Sequence, residues 1–214
     1  MSANKKTRGT RPGGFHATGP GGLGPLDFAK WYRARSVAQW EALDLEAVAS
    51  LADLVVGARD AGKTVYVMGN GGSAASASHI ATDFSKTAEV KGRPGLRCLS
   101  LADNAAYMTA IGNDLSFDDI FSRQLEGLLR PGDVVLLVSG SGNSGNLLKA
   151  ARLARARKAK TAALLGFDGG KLKSLVDLPI LVASDQYGVI EDLHMAVCHI
   201  VTFYLKQLKA PRAA

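Results

Sequence analysis

The chain has 214 residues, 47% of them hydrophobic, and a formal net charge of +7. This length predicts one large domain or a domain with a tail, and the apolar fraction excludes wholesale disorder. Two cysteines, Cys98 and Cys198, are too few for a disulfide scaffold and lack metal-site spacing, so we expect them to be reduced core residues of a cytoplasmic protein. No uninterrupted apolar run approaches about 18 residues, so no transmembrane helix is expected, and the basic N-terminus lacks the apolar segment of a signal peptide.

Much of the positive charge lies in residues 1–26, which hold no acidic residue and four basic ones, Lys5, Lys6, Arg8 and Arg11. The same segment contains seven of the 24 glycines and three of the seven prolines, so it cannot bury enough apolar surface to offset the entropy of ordering it. We predict a disordered tail over 1–26 and a folded domain over 27–214. Such a tail can contact nucleic acid, but the absence of interleaved aromatic residues favours a solvated tail without a nucleic-acid or membrane partner.

The folded part alternates between two hydrophobic periods. Apolar residues that recur every three to four positions from Asp27 predict a pair of helices ending at Gly62. Short apolar runs then predict strands over 64–68, 96–101, 134–139, 161–165 and 178–182. Amphipathic patterns predict helices over 73–86, 118–129 and 143–157, and a last helix over about 189–209. Strands rich in continuous Val, Leu and Ala that alternate with helices are typical of an α/β fold, with a parallel sheet covered on both faces.

Two loops of small residues follow predicted strands and open predicted helices. They are Gly69-Asn70-Gly71-Gly72-Ser73 and Ser139-Gly140-Ser141-Gly142-Asn143-Ser144. In an open α/β sheet, ligands bind beyond the carboxyl ends of the strands, where helix N-termini present free N–H groups. One such loop is explained by a tight turn with a helix cap, whereas two serine-rich loops favour phosphate binding. Neither loop has the pattern of a nucleotide P-loop, so a phosphorylated small metabolite is the expected ligand.

Three of the four histidines lie in two segments that also carry carboxylates. His79 and Asp83 share one face of a predicted helix, and Glu191, His194 and His199 lie on the last helix. A buried imidazole needs a partner, which is either a carboxylate or a metal such as zinc, so the segments predict a metal site or an acid–base site. Glu191 and His199 are about 12 Å apart along a helix axis, so both serve one site only at a frayed helix start or across a subunit contact.

These segments resemble a known family. The resemblance runs from about residue 40 to 206 and is to sugar isomerase (SIS) domains, most of all to phosphoheptose isomerases. Six stretches carry it, in this order: GNGGSAASASHIATDF, LADNAAYMTAIGND, FDDIFSRQL, GDVVLLVSGSGNS, GFDGGKL and IEDLHMAVCHI. The resemblance implies a three-layer sandwich around a five-stranded parallel sheet, preceded by N-terminal helices, in a homotetramer with sites near subunit contacts. It also implies interconversion of sedoheptulose 7-phosphate and D-glycero-D-manno-heptose 7-phosphate, usually with bound zinc.

The resemblance further implies roles for individual residues. The expected substrate-binding residues are Asn70, Gly71, Gly72, Ser73, Asp103, Asn104, Ser139, Gly140, Ser141 and Ser144, with the Ser139–Ser144 loop holding the phosphate. His79, Asp83, Glu191 and His199 fall on the metal and acid–base positions of the family. Either Asp83 or Glu191 is then the base that moves a proton between C1 and C2 through an enediol, and His199 is the complementary acid.

This chain departs from the family pattern at three positions. The usual Glu is Asp83, the usual Gln is Glu191, and the usual Ser-Thr-Ser loop is Ser139-Gly140-Ser141. The shortened Asp83 and the added charge of Glu191 could compensate each other. The departures leave open an isomerase of a different phosphosugar. A second alternative is a non-catalytic SIS protein that senses a phosphosugar or binds another protein, although such a protein has no need to keep His79, Asp83 and His199.

Overall fold

The computed structural model describes residues 19–208, so residues 1–18, which form most of the predicted tail, lie outside the described residues. Five strands, β1 to β5, span Thr64–Gly69, Arg97–Ser100, Val134–Ser139, Lys160–Gly166 and Leu178–Val182. Seven α-helices of the described part, α1 to α7, span Pro25–Ala42, Leu45–Asp60, Gly72–Thr82, Ala105–Asp114, Ser122–Leu128, Gly145–Ala156 and Tyr187–Gln207. A π-helical turn covers Asp83–Thr87, and 3₁₀ turns cover Phe117–Asp119 and Lys171–Ser174.

The strands form one parallel sheet in the order β2-β1-β3-β4-β5. The chain passes outward from β1 to β2, then returns across β1 to start β3 on its other side. The direction of winding therefore reverses between β1 and β3, which are hydrogen-bonded neighbours with Gly69 opposite Val138. This reversal places the carboxyl ends of β1 and β3, and the helices that follow them, side by side. The five-stranded parallel sheet agrees with the predicted α/β sandwich.

Helices cover both faces of the sheet because the side chains of each strand alternate between the faces. On one face Val65, Val67 and Leu136 pack with α2, α3 and α7. On the other face Tyr66 and Leu137 pack with α5 and α6. Burial on both faces explains why the central strands β1, β3 and β4 are mostly apolar, whereas the edge strand β2 exposes Arg97 and Leu99. The helices that carry the polar loops are packed against this sheet.

The helix predictions need correction at several places. Helix α1 begins at Pro25, two residues inside the predicted tail, because proline suits the first turn of a helix. The predicted helix 118–129 is a 3₁₀ turn followed by the shorter α5. The helix expected over 73–86 ends as an α-helix at Thr82 and continues as the π-helical turn. Helix α4 was not predicted, and its start is marked by Asn104, whose side-chain oxygen accepts a hydrogen bond from the Tyr107 N–H.

Helix α7 is anchored in the core by a buried histidine. By length and composition α7 could cross a membrane, but half of its apolar window is buried inside the fold, as for a core helix. His194 is fully buried, and its Nε2 lies 3.1 Å from the Leu165 carbonyl oxygen. Since a carbonyl only accepts, Nε2 carries the proton, and Nδ1 is left without a partner among the described residues. Burial lowers the pKa of His194 to about 4, which the bond to Leu165 opposes.

We expect His194 to make the free energy of unfolding depend on pH. The unfolded chain binds a proton at His194 below its ordinary pKa of 6.5, while the folded chain stays neutral there until about pH 4. Stability contributed by the neutral imidazole is therefore complete above pH 6.5 and is lost as pH falls toward 4, by at most about 3 kcal/mol. His194→Gln, which keeps a donor for Leu165, should flatten the pH dependence of the urea unfolding free energy over this window. Identical pH dependence in both proteins would contradict the assignment.

Candidate functional site

A pocket opens where the winding of the sheet reverses. It has a volume of about 500 Å³ and lies between the loops that follow β1 and β3. Its lining comprises Asn70, Gly72, Ser73, Val138, Ser139, Gly140, Ser141, Ser144, Leu147, Tyr187 and Glu191. Seven of the ten residues that the sequence predicts to bind substrate are in this set; Gly71 lies beside it in the first loop, and Asp103 and Asn104 are elsewhere. Two helix N-termini flank the pocket, and both favour an anionic group.

The first loop needs its glycines for steric reasons. A Cβ on Gly69 would lie 2.5 Å from the Ser73 carbonyl oxygen, so the turn from β1 into α3 closes only without a side chain there. Gly71 has a φ of 57°, in the left-handed region that glycine adopts without strain. A Cβ on Gly72 would lie 2.6 Å from Oε1 of Glu191. The loop therefore packs closely against both its own helix and α7.

The second loop has three serine hydroxyls in position for a ligand. Ser139 Oγ accepts from the Gly142 N–H at 3.0 Å, and Ser141 Oγ accepts from the Asn143 N–H at 3.3 Å. These bonds shape the loop and leave both hydroxyl protons available to an acceptor. Ser144 is the N-cap residue of α6, yet its side chain makes no capping hydrogen bond. Hydroxyls and the α6 N-terminus together suit a phosphate group.

The opposite wall of the pocket comes from the first turns of α7. The Tyr187 ring lies against Gly140, where a Cβ would be 2.5 Å from its Cε1 atom, and meets the Phe167 ring edge-on with centroids 4.9 Å apart. Burial raises the pKa of Tyr187, and the nearby Glu191 carboxylate adds to the rise, so the phenol stays protonated at neutral pH. Sequence reasoning missed Tyr187; its position four residues before Glu191, on the same helix face, was the available signal.

A second polar cluster joins α7 to the end of α3. His79 Nε2 lies 3.3 Å from Asp83 Oδ2, His199 Nε2 lies 3.8 Å from the same oxygen, and the two Nε2 atoms are 3.4 Å apart. The other Asp83 oxygen accepts from the Thr87 hydroxyl at 2.9 Å, which turns Oδ2 toward the histidines. Asp83 begins the π-helical turn, and such turns are frequent at functional sites. We call His79, Asp83 and His199 the histidine–aspartate cluster.

This cluster can hold a metal ion. Donor atoms bound tetrahedrally at about 2.0–2.1 Å are roughly 3.3–3.4 Å from one another, close to the separations in the histidine–aspartate cluster. Two imidazoles and a carboxylate form a donor set that leaves a fourth position open. Burial raises the pKa of the neighbouring Cys198 thiol to about 12, so it remains protonated and supplies no thiolate ligand. The three residues therefore fit a metal site.

Glu191 does not join this cluster within the chain. It contacts Gly72 at the start of α3, whereas His199 contacts His79 seven residues further along α3. Helices α3 and α7 thus run side by side in the same direction, with the pocket at one end and the histidine–aspartate cluster roughly 10 Å further along. The expectation that Glu191 shares a metal site with His79, Asp83 and His199 is not met by the geometry of one chain, because two turns of α7 separate it from His199.

Asp103 and Asn104 line a different hollow, of about 630 Å³, together with Lys86 and Ser100. The Asp103 carboxylate accepts a hydrogen bond from the Ser78 hydroxyl on α3. The side-chain oxygen of Asn104 is engaged in capping α4. One chain therefore does not bring this pair to the pocket between the two loops.

The contact between Gly140 and Tyr187 can be tested by substitution. Gly140→Ala places a methyl group into the Tyr187 ring, which should lower the unfolding free energy by about 1–3 kcal/mol. The penalty should shrink when Tyr187→Ala is introduced as well, because the ring is the obstacle. Gly127→Ala on α5 is the matched control and should be neutral or slightly stabilising, because among residues 19–208 its added Cβ would meet no atom of another element within 4 Å. Equal penalties with and without the ring, measured by urea unfolding, would exclude this contact.

Comparisons with known proteins agree with this fold and identify the family. The SIS domain family profile matches residues 31–166. A phosphoheptose isomerase of Trichlorobacter lovleyi is 41% identical over 160 residues, which cover 75% of this chain and 81% of that protein. The structure of a phosphoheptose isomerase from Francisella tularensis superposes with a TM-score of 0.79 at 28% identity, covering 87% of this chain and 100% of that one. That of phosphoheptose isomerase from Neisseria gonorrhoeae gives 0.78 at 30% identity, covering 86% and 99%. The chain belongs to the SIS domain family and, within it, to the phosphoheptose isomerases.

Proposed function

We propose that the protein is an aldose–ketose isomerase that converts sedoheptulose 7-phosphate to D-glycero-D-manno-heptose 7-phosphate through an enediol. The observation that carries the proposal is the close approach of His79, Asp83 and His199 on the same helix pair that borders the pocket. A protein that only binds a phosphosugar needs the two loops and has no use for this cluster. The similarity of the present chain to phosphoheptose isomerases supports the choice of reaction.

The phosphate would bind to the second loop. Ser139, Ser141 and Ser144 offer hydroxyl protons at the N-terminus of α6, where the helix dipole favours an anion. Glycine at position 140, where the family usually has a hydroxyl residue, removes one donor and makes room for the Tyr187 ring. The Tyr187 ring then forms the pocket wall beside Gly140.

The sugar hydroxyls would face the first loop and α7. Asn70, Gly71, Gly72 and Ser73 form that edge of the pocket, and Glu191 lies across from them. A carboxylate there repels a second anionic group and accepts from neutral hydroxyls, so it favours a polyol chain with a single phosphate. An open-chain heptose 7-phosphate carries its phosphate and its C1–C2 carbons at opposite ends, which suits loops and a cluster that are roughly 10 Å apart along α3. Asp103 and Asn104, in their separate hollow, would reach substrate from a neighbouring subunit.

Zinc is the metal we propose for the histidine–aspartate cluster. His79, Asp83 and His199 would be its ligands, and Glu191 would complete the set only from another subunit. When bound, zinc supplies a Lewis acid that polarises a substrate oxygen. The Thr87 hydroxyl holds Asp83 in the orientation that the site needs.

Asp83 is the better candidate for the base. Base and acid act on neighbouring atoms of the C1–C2 unit, so they must lie close together, and Asp83 lies 3.8 Å from His199 while Glu191 lies at the other end of the helix pair. Asp83 would remove the proton from one carbon and return it to the other. Through the ring nitrogen that is not bound to the metal, His199 would donate a proton to the C2 carbonyl oxygen and later accept one from the C1 hydroxyl, and it would assist ring opening. Glu191 would orient the sugar.

We also propose a cytoplasmic homotetramer. Helix α1 has no buried residue in the single chain, and large apolar side chains such as Leu26, Trp40 and Phe203 are exposed, which is typical of surfaces covered by other subunits. Both cysteines are free and buried, in keeping with a reducing compartment.

Proton NMR in deuterated water tests the reaction directly. We expect sedoheptulose 7-phosphate to yield an aldoheptose 7-phosphate with deuterium at C2, because the base exchanges its proton with solvent during the enediol step.

Asp83→Asn should lower kcat by about 10²–10⁴-fold. The matched change Glu191→Gln should mainly raise KM. A larger loss of kcat in Glu191→Gln than in Asp83→Asn would identify Glu191 as the base instead. Saturable sugar binding without turnover by the wild type would favour the sensor, and neither binding nor turnover would point to another phosphosugar.

Zinc binding is tested without an assay of activity. His79→Ala and His199→Ala should each weaken zinc binding, measured by calorimetry, by more than about tenfold, since loss of even an outer partner of a metal ligand has an effect of that order. His194→Gln changes a histidine on the same helix outside the cluster and should leave the affinity unchanged. Unaltered zinc affinity in both alanine variants would rule out this site.

A further inference from the structure

Asn146 lies directly behind the pocket and is 1% exposed. It is the second residue of α6, and none of the expectations from the sequence included it. Its Nδ2 donates to Asn70 Oδ1 at 2.9 Å, and its Oδ1 accepts from Asn70 Nδ2 at 3.0 Å. This reciprocal pair of hydrogen bonds joins the loop after β1 to the helix after β3.

The pairing determines how Asn70 faces the pocket. A primary amide has two N–H donors and an oxygen with two acceptor positions. Asn146 engages one donor and one acceptor of Asn70, so a rotation that exchanges its oxygen and nitrogen would bring like groups together and break both bonds. The second donor and the second acceptor position of Asn70 then have a defined orientation for a ligand.

Asn146 also explains why Ser144 is free. An N-cap side chain normally accepts from the second or third N–H of its helix, and for Ser144 the third is that of Leu147. The Leu147 N–H instead donates to Asn146 Oδ1 at 2.9 Å. Since this helix donor is already satisfied, the Ser144 hydroxyl makes no capping bond.

We propose that Asn146 is a positioning residue of the sugar-phosphate site. It holds the Asn70 amide in its binding orientation and, by accepting from Leu147, leaves the Ser144 hydroxyl to the phosphate. The inference rests on the proposed function, in which Asn70 and Ser144 contact substrate. A role in the fold alone is a weaker explanation, because β1 and β3 are already joined by their own ladder up to Gly69 and Val138.

A double-mutant cycle tests the proposal with full-length protein and sedoheptulose 7-phosphate. Asn146→Ala and Asn70→Ala should each raise KM by about tenfold with kcat within about threefold, the pattern for lost binding that ground state and transition state share. The KM of the double variant should exceed that of Asn70→Ala by no more than about threefold, which is the part of the Asn146 effect that acts through Ser144. Independent, multiplied losses approaching a hundredfold would overturn the proposal. Asn146→Ser, which is polar but too short for Asn70, repeats the test if the alanine variant does not fold.

Thr161→Val is the matched control. Thr161 is fully buried and exchanges hydrogen bonds with Asp177, at 2.8 Å to the carboxylate and 2.9 Å from the N–H, at the amino end of β4 and far from the loops. Its loss should lower the melting temperature as a buried polar pair does, with KM unchanged. An equal rise of KM in Thr161→Val would mean that general destabilisation, and not positioning, weakens binding.

A spectroscopic readout separates this proposal from the proposed function. If the wild type does not turn over the heptose phosphate, the proposed function fails, and the positioning role is then judged on the Asn70 side-chain amide in ¹⁵N NMR. Slow hydrogen exchange of Asn70 Nδ2, present in wild type and Thr161→Val and lost in Asn146→Ser, supports the role. So does weaker binding of inorganic phosphate in Asn146→Ser alone. Retention of both properties in Asn146→Ser overturns it.

Discussion

The reversal of winding between β1 and β3 is the constraint on which the site depends. Neighbouring strands of a parallel sheet end at the same edge. A crevice opens between the loops that follow two such strands only where the chain leaves them toward opposite faces of the sheet. The N-termini of α3 and α6 then lie on opposite faces of the sheet with a gap between them, and that gap is the pocket. Glycines at 69, 72 and 140 follow from this geometry, since each lies where a neighbouring element comes too close for a Cβ.

Helix α7 adds titratable side chains to this anion-binding edge of the sheet. Its first turns supply Tyr187 and Glu191 to the pocket, and its later turns supply His199 to the histidine–aspartate cluster. The position of α7 along the sheet matters for both, and it is fixed in part by the hydrogen bond from His194 to the end of β4. Nδ1 has no partner within residues 19–208, so stability is given up at a residue that aligns the helix with both sites.

The sequence predicted the sheet well and the environment of individual polar groups less well. All five strands were expected within two residues, since runs such as 134–138 are apolar throughout and end at a loop of small residues. Helix α4 escaped detection because its residues are weakly amphipathic and none is buried. The partner of a side chain depends on packing between distant segments, so the Asn70–Asn146 pair, 76 residues apart, had no local signal. The grouping of His79 with Asp83 did have one, because four residues make a helical turn.

The two departures in charged residues act at different places. Asp83 is one methylene shorter than the glutamate usual in the family, yet its Oδ2 still reaches both histidines, because His79 is one turn away on the same face and the packing of α3 against α7 brings His199 to it. Thr87 fixes the shorter side chain through the π-helical turn. Glu191 adds its charge at the pocket end of the helix pair, against Gly72. Compensation between the two carboxylates therefore does not occur within one chain: Asp83 preserves the cluster by its local geometry, while Glu191 alters the surface that the sugar meets.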